Sequence, residues 1–151
     1  MKDEFSPEGI TTLFEQASRF IHGSGFAGGM TPAQWTALRY FAEAPLSNRT
    51  MASLARFQGM TLSPVTRTVK NLVEKGYVDR HPNPRTRRAD LIIVNEAGKQ
   101  VLQADPRSQL LSAITKVPPE YREPLALSLR IILEGMLTLG LSHMDESSLR
   151  E

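Results

Sequence analysis

The stretch TLSPVTRTVKNLVEKGYVDR, residues 61–80, decides how the rest of the chain is read. At ~100° per residue, Leu62, Val65, Val69, Leu72 and Val73 fall on one side of a helix, while Ser63, Arg67, Lys70, Asn71 and Glu74 fall on the other. The spacing predicts an amphipathic helix that buries the first set. Its cap is either Thr61, which puts Pro64 inside the free first turn, or Ser63, which puts Pro64 at the first helical position. Gly76 ends the helix on both readings. The question is what the basic, polar stripe meets.

Upstream, Thr50 caps a short helix over MASLARF, and Gly59 ends it by tolerating the left-handed conformation that a tight turn demands. Before that, Thr31-Pro32 starts a helix that runs to about Ala44, buries Trp35, Leu38 and Phe41 or Ala42, and cannot pass Pro45. Residues Ser6 to His22 form a first helix, with Ile10, Leu13, Phe14, Ala17, Phe20 and Ile21 in helical spacing. The stretch GSGFAGG, residues 23–29, is too glycine-rich to continue it.

Downstream, the period changes. Tyr77, Val78 and Arg80 form a short extended run, and Leu91 to Val94 form a second; HPNPRTRR, residues 81–88, contains two prolines and cannot be helical. The result is a hairpin with a long basic tip. Asn95 caps a helix over NEAGKQVLQA, which Pro106 interrupts before it resumes through Leu110, Leu111 and Ile114. A last helix follows Pro118-Pro119. Its apolar set, Leu125, Leu127, Leu129, Ile131, Ile132, Leu133, Met136, Leu137, Leu139 and Leu141, nearly encircles it and requires burial from more than one side, most simply by a second copy of the chain.

Composition narrows the function classes. The chain has 151 residues, with 40% hydrophobic and 23% charged side chains, as expected of a soluble domain, and no run approaches the roughly 18 to 20 apolar residues of a membrane span. The opening MKDEFSPEGI resembles neither a secretory signal nor a transit peptide, so a cytoplasmic location is expected. The absence of cysteine excludes disulfides, thiolate zinc sites and cysteine nucleophiles. His22, His81 and His143 show no metal-ligand spacing, and no phosphate loop, nucleophile elbow or paired-carboxylate motif points to an enzyme or a cofactor. Net charge is only +2, but residues 61–90 hold seven basic and three acidic side chains, which suits a phosphate-facing surface as well as a solvated face.

Two helices joined by the turn QGMT, a second helix with a polar outer stripe, and a basic hairpin together make a helix-turn-helix with a wing. The second helix is sized for the major groove of double-stranded DNA. Thr61, Ser63, Pro64, Thr66, Arg67, Lys70 and Asn71 are its expected contact residues, with Arg67 able to bind guanine through two hydrogen bonds. Arg85, Arg87 and Arg88 supply the wing, from which an arginine can enter the adjacent minor groove.

The segments TPAQWTALRYFAE and LARFQGMTLSPVTRTVKNLVEKGYVDRHPNPRTRRADLIIVNEAGKQVL resemble the core of the multiple-antibiotic-resistance regulator (MarR) family of bacterial transcription factors. The likeness spans about Thr31 to Leu102, most specifically at Val65-Thr66-Arg67 with Leu72 and Gly76, and at Arg87-Arg88 and Asn95-Glu96-Ala97-Gly98. It implies a mainly α fold with a small β-hairpin wing, divided into an amino-terminal dimerisation helix and glycine-rich loop (1–30), a winged helix-turn-helix core (31–102) and carboxy-terminal dimerisation helices (103–151). It also implies a homodimer that binds a pseudo-palindromic operator as a repressor and is released by a small aromatic or anionic ligand. The pocket for that ligand would involve His22, Phe26, Trp35, Arg39 and Tyr40, with Arg39 as anion anchor, although a Trp and a lone His in such positions also fit a core and a surface role.

Three departures stand out. Asn83 and Thr86 replace wing acidic residues, which removes a salt bridge and leaves the tip more mobile or more cationic. Gln58 replaces a favoured leucine, and Pro106 breaks a helix that is usually continuous. Two rivals remain: a winged-helix module whose arginines meet an acidic protein, and a DNA-binding regulator without a ligand.

Overall fold

The computed structural model describes the backbone of residues 3–148 and the side chains of residues 3–140. The side chains of Leu141 and His143 lie outside the described residues. Seven α-helices and one two-stranded antiparallel sheet account for the described fold.

Helix α1 (Pro7–Ser24) starts at Ser6, whose hydroxyl accepts the Gly9 N–H at 3.0 Å. It runs past the expected stop at His22, through Gly23. A single glycine costs a helix only about 1 kcal/mol, and the chain turns instead at Gly25, whose N–H closes onto the Ile21 and His22 carbonyls. Helix α2 (Pro32–Glu43) carries a full capping box, in which the Thr31 hydroxyl accepts the Gln34 N–H and the Gln34 side chain accepts the Thr31 N–H. Its inward face is Trp35, Leu38 and Phe41; Ala42 is exposed. A 3-10 turn at Leu46–Asn48, without a clear sequence signal, leads to α3 (Met51–Gln58), capped by Thr50. Gly59 ends α3 at φ 60°, and Gln58 is half-buried.

Helix α4 (Leu62–Glu74) begins after Thr61, so Pro64 lies in the free first turn; the Thr61 side chain makes no capping bond. Val65, Val69 and Leu72 are buried, but Leu62 and Val73, expected on the same face, are substantially exposed. They lie at one edge of the stripe, roughly 50–75° from the centre of the buried set.

Strands β1 (Val78–His81) and β2 (Leu91–Val94) pair from Val78↔Val94 to His81↔Leu91. The Arg49 carbonyl accepts the Ile92 N–H at 2.7 Å, tying the hairpin to the head. Helix α5 (Glu96–Leu102) follows, capped by Asn95, whose amide also donates to the Gly76 carbonyl at 2.9 Å. Gly98 presses against the hairpin root: a Cβ there would collide with the Tyr77 carbonyl oxygen and stand 2.7 Å from Val94 Cγ1. Helices α6 (Arg107–Thr115) and α7 (Pro119–Ser148) complete the chain.

One core results, built from Trp35, Leu38, Phe41, Leu54, Val65, Val69, Leu72, Val78 and Ile92, all inside the segment from α2 to β2. Outside it many apolar side chains stay exposed. Phe20 on α1 is 81% exposed and Ile131 on α7 is 71% exposed, with Leu13, Leu127, Leu133 and Leu139 also open, while Leu129, Ile132 and Leu137 are half-buried. A single copy buries the segment from α2 to β2 and leaves much of the apolar surface of the two end helices uncovered.

Candidate nucleic-acid interface

The core dictates which way α4 faces. With Val65, Val69 and Leu72 packed inward, Ser63, Arg67, Lys70 and Glu74 must project outward, and all four are exposed. Thr61 and Thr66 are exposed beside them, and Pro64 and Asn71 sit half-buried at the flanks. The Thr66 hydroxyl donates to the Leu62 carbonyl at 2.9 Å, leaving its lone pairs outward as acceptors. Lys70 Nζ lies 3.9 Å from Glu74 Oε1, a fully solvated pair that costs little to open. Arg67 makes no hydrogen bond or ion pair among the described residues, so its guanidinium is free to meet a partner.

The wing shares that face. A cleft of about 290 Å³ is bordered by Met51 and Ala52 at the start of α3, Leu62 at the start of α4, and Arg87, Arg88 and Asp90 in the wing. Arg85, Arg87 and Arg88 are all exposed, and none forms an ion pair among the described residues. The tip is nonetheless ordered by hydrogen bonds. The Asn83 side chain accepts the Arg85 N–H at 3.0 Å and the Thr86 hydroxyl accepts the Arg88 N–H at 3.2 Å. Short polar side chains thus brace the backbone locally, and the wing guanidinium groups have no acidic partner among the described residues.

The five residues expected at an effector pocket fall into different roles. Trp35 is core, 1% exposed, and its indole N–H donates to the Ala27 carbonyl at 3.1 Å. His22 and Phe26 stack edge to face at 5.3 Å on the exposed side of the glycine-rich loop. Arg39 donates to Asp105 Oδ1 at 2.7 Å, so its charge is already paired. The Tyr40 hydroxyl donates to the Asn48 carbonyl at 3.0 Å. Two clefts flank α2: one of about 450 Å³ reaches His22, Trp35 and Arg39, and one of about 860 Å³ reaches Arg39 and Tyr40. Arg39 borders both; Phe26 borders neither. Among the described residues no helix is long and apolar enough to cross a membrane, and no group of metal-ligating side chains converges.

With an outward basic helix and a basic hairpin on one face, the geometry is that of a winged helix-turn-helix. The MarR family model matches residues 28–89, which run from α2 to the tip of the wing. Over these residues the chain resembles the MarR family. An uncharacterised Mycobacterium tuberculosis protein is 34% identical to it over 76 residues, 50% of this chain and 51% of the relative, and a Mycobacterium bovis protein matches equally. The chain thus spans about half the length of the curated relatives it matches. Among solved structures, a MarR family transcriptional regulator from Streptomyces coelicolor in complex with DNA is similar over 89% of this chain and 91% of its own, with a TM-score of 0.69 and 22% identity. A MarR protein from Peptoclostridium difficile is similar over 94% of this chain and 96% of its own, with a TM-score of 0.74 and 14% identity. These likenesses extend the MarR fold beyond the head to the end helices.

Sequence reasoning missed the residues that tie head to arm. Asp105 joins Arg39, and Arg107 Nη2 lies 3.0 Å from Glu43 Oε1. Partners more than sixty positions apart carry no local signal.

Proposed function

We propose that this chain is a MarR-family transcriptional regulator and works as a homodimer in which residues 31–102 form the DNA-reading head and residues 1–30 and 103–151 join two copies. The exposed apolar faces of α1 and α7 support the dimer, since a self-complementary interface would cover both at once. Each head lays α4 in a major groove. There Arg67 reads a base edge, Thr61, Ser63, Thr66, Lys70 and Asn71 add base and phosphate contacts beside Pro64, and Arg85, Arg87 and Arg88 reach the neighbouring backbone or minor groove. Two such heads recognise a pseudo-palindromic operator and repress it, and a small aromatic or anionic ligand in the clefts around Arg39 relieves repression. The observation that carries this reading is that Arg67 projects from the outer side of α4 without an ion pair among the described residues, while the unpaired Arg87 and Arg88 border a cleft that Leu62 at the start of α4 also lines.

Titration of labelled duplex at two salt concentrations tests it. Three to five cations per head give roughly 6 to 10 phosphate contacts per dimer, so affinity falls about 10³- to 10⁵-fold between about 50 and about 200 mM salt. Binding that ignores sequence, or no binding, would favour a winged-helix module that docks on an acidic protein. A thermal-shift screen with aromatic carboxylates separates a ligand-responsive regulator from one without a ligand.

A further inference from the structure

The helical path from the head to the dimer arm is broken. Helix α5 stops at Leu102, α6 starts at Arg107, and Pro106 is buried between them. A break of this kind lets one element pivot on another. Here it is stapled from two sides. Asp105 Oδ1 accepts a hydrogen bond from Arg39 Nη1 at 2.7 Å and another from the Arg107 backbone N–H at 2.7 Å. Arg107 in turn donates from Nη2 to Glu43 Oε1 at 3.0 Å.

The charges are crossed. Arg39 and Glu43 stand one turn apart on α2, positive then negative, and Asp105 and Arg107 flank Pro106, negative then positive. Only one register of the junction against α2 satisfies both pairs, and sliding by a turn would set like charges together. The Arg39 and Asp105 side chains are only 20% and 15% exposed, so this pair is shielded from the water that weakens Lys70–Glu74 on the reading helix.

We propose that the Arg39–Asp105 and Arg107–Glu43 pairs are a latch that sets the angle between reading head and dimer arm, and thereby the half-site spacing that the dimer accepts. The proposal rests on the two-headed DNA-binding reading above. A head of this size, with a radius of gyration of about 11 Å, places its far face on the order of 20 Å from the pivot. A swing of roughly 10° there carries α4 by about 3.5 Å, one base-pair step. Asp105 and Arg39 are therefore positioning residues that act on specificity without touching DNA.

The test uses the full chain and the duplex that wild type selects from a random-sequence library, remade with its two half-sites moved apart or together one base pair at a time. Wild type should prefer one spacing. Asp105→Asn and Arg39→Gln should each shrink the preference for that spacing over its neighbours by roughly 3- to 30-fold, with affinity for an isolated half-site unchanged. Arg39→Lys, which keeps the charge, should restore most of it, whereas Lys99→Gln, at an exposed pair on α5, should change nothing. Hydrogen exchange at residues 107–109 without DNA should quicken in the two neutralised variants. If Asp105→Asn fails to fold, Arg39→Gln carries the expectation, and Glu43→Gln, on the more exposed outer pair, should shift the spacing preference in the same direction by a smaller factor. Wild-type spacing preference in the variants, or unaltered exchange at the junction, overturns the latch alone; a wild type that selects no duplex overturns the latch and the DNA-binding reading together.

Discussion

Arg67 and Val69 are two positions apart on α4 and face opposite ways, so substituting each by alanine separates folding from recognition. Val69 is fully buried between α2 and α3. Removing two carbons forfeits about 1.6 kcal/mol of transfer free energy, and a residual cavity of roughly 50 Å³ adds about 1 kcal/mol, for a loss of about 3 kcal/mol. In a chain of 151 residues this lowers the melting temperature by roughly 6–12 °C. Arg67 is exposed and unpaired, so Arg67→Ala should change stability by no more than about 0.5 kcal/mol. Its cost appears on DNA, where losing a two-bond contact to a base removes about 1–3 kcal/mol of discrimination, roughly 5- to 150-fold. Thermal melts at one fixed protein concentration, because a dimer melts in a concentration-dependent way, would be paired with duplex titrations. An Arg67→Ala protein that melts as low as Val69→Ala would show that the outer face of α4 is packed, and undiminished base preference would show that Arg67 reads nothing.

Two further outcomes are expected. Gly98→Ala should destabilise by about 1–3 kcal/mol in urea denaturation, even though alanine favours helices by about 1 kcal/mol, because the new methyl meets the Tyr77 carbonyl and Val94; a stabilised variant would contradict the close packing of α5 on the wing root. The double change Phe20→Asp and Ile131→Asp should yield a folded monomer by sedimentation, with affinity for paired half-sites lost, whereas an unchanged dimer would place the interface elsewhere.

Local signals led a long way into this fold. Thr31, Thr50 and Asn95 all cap the helices their positions predicted, because a side-chain oxygen that accepts an N–H three residues ahead needs nothing but chain order; Ser6, read as the first residue of α1, is its cap by the same chemistry. The outer face of α4 was legible for the same reason: one period relates Ser63, Arg67 and Lys70 whatever α4 packs against. The width of the buried stripe was not, since how much of Leu62 and Val73 is covered depends on the elements that pack against α4. Trp35 shows the limit for site residues, because the type and spacing of an aromatic side chain suit a core and a ligand pocket equally; in the structure it is buried in the core and also borders the cleft beside His22 and Arg39.

Residue order alone, through helical period and capping chemistry, determined the succession of helices, the basic hairpin and the outward set of cationic side chains. Tertiary packing decided the rest: that Arg39 meets Asp105 and Arg107 meets Glu43, that Asn83 and Thr86 leave the wing arginines unpaired, and that much of the apolar surface of α1 and α7 stays uncovered. The division has a physical cause. Sterics and local hydrogen bonds act over a few residues and are written into the sequence, whereas the pairing of charges sixty-six positions apart depends on where the whole core brings the chain.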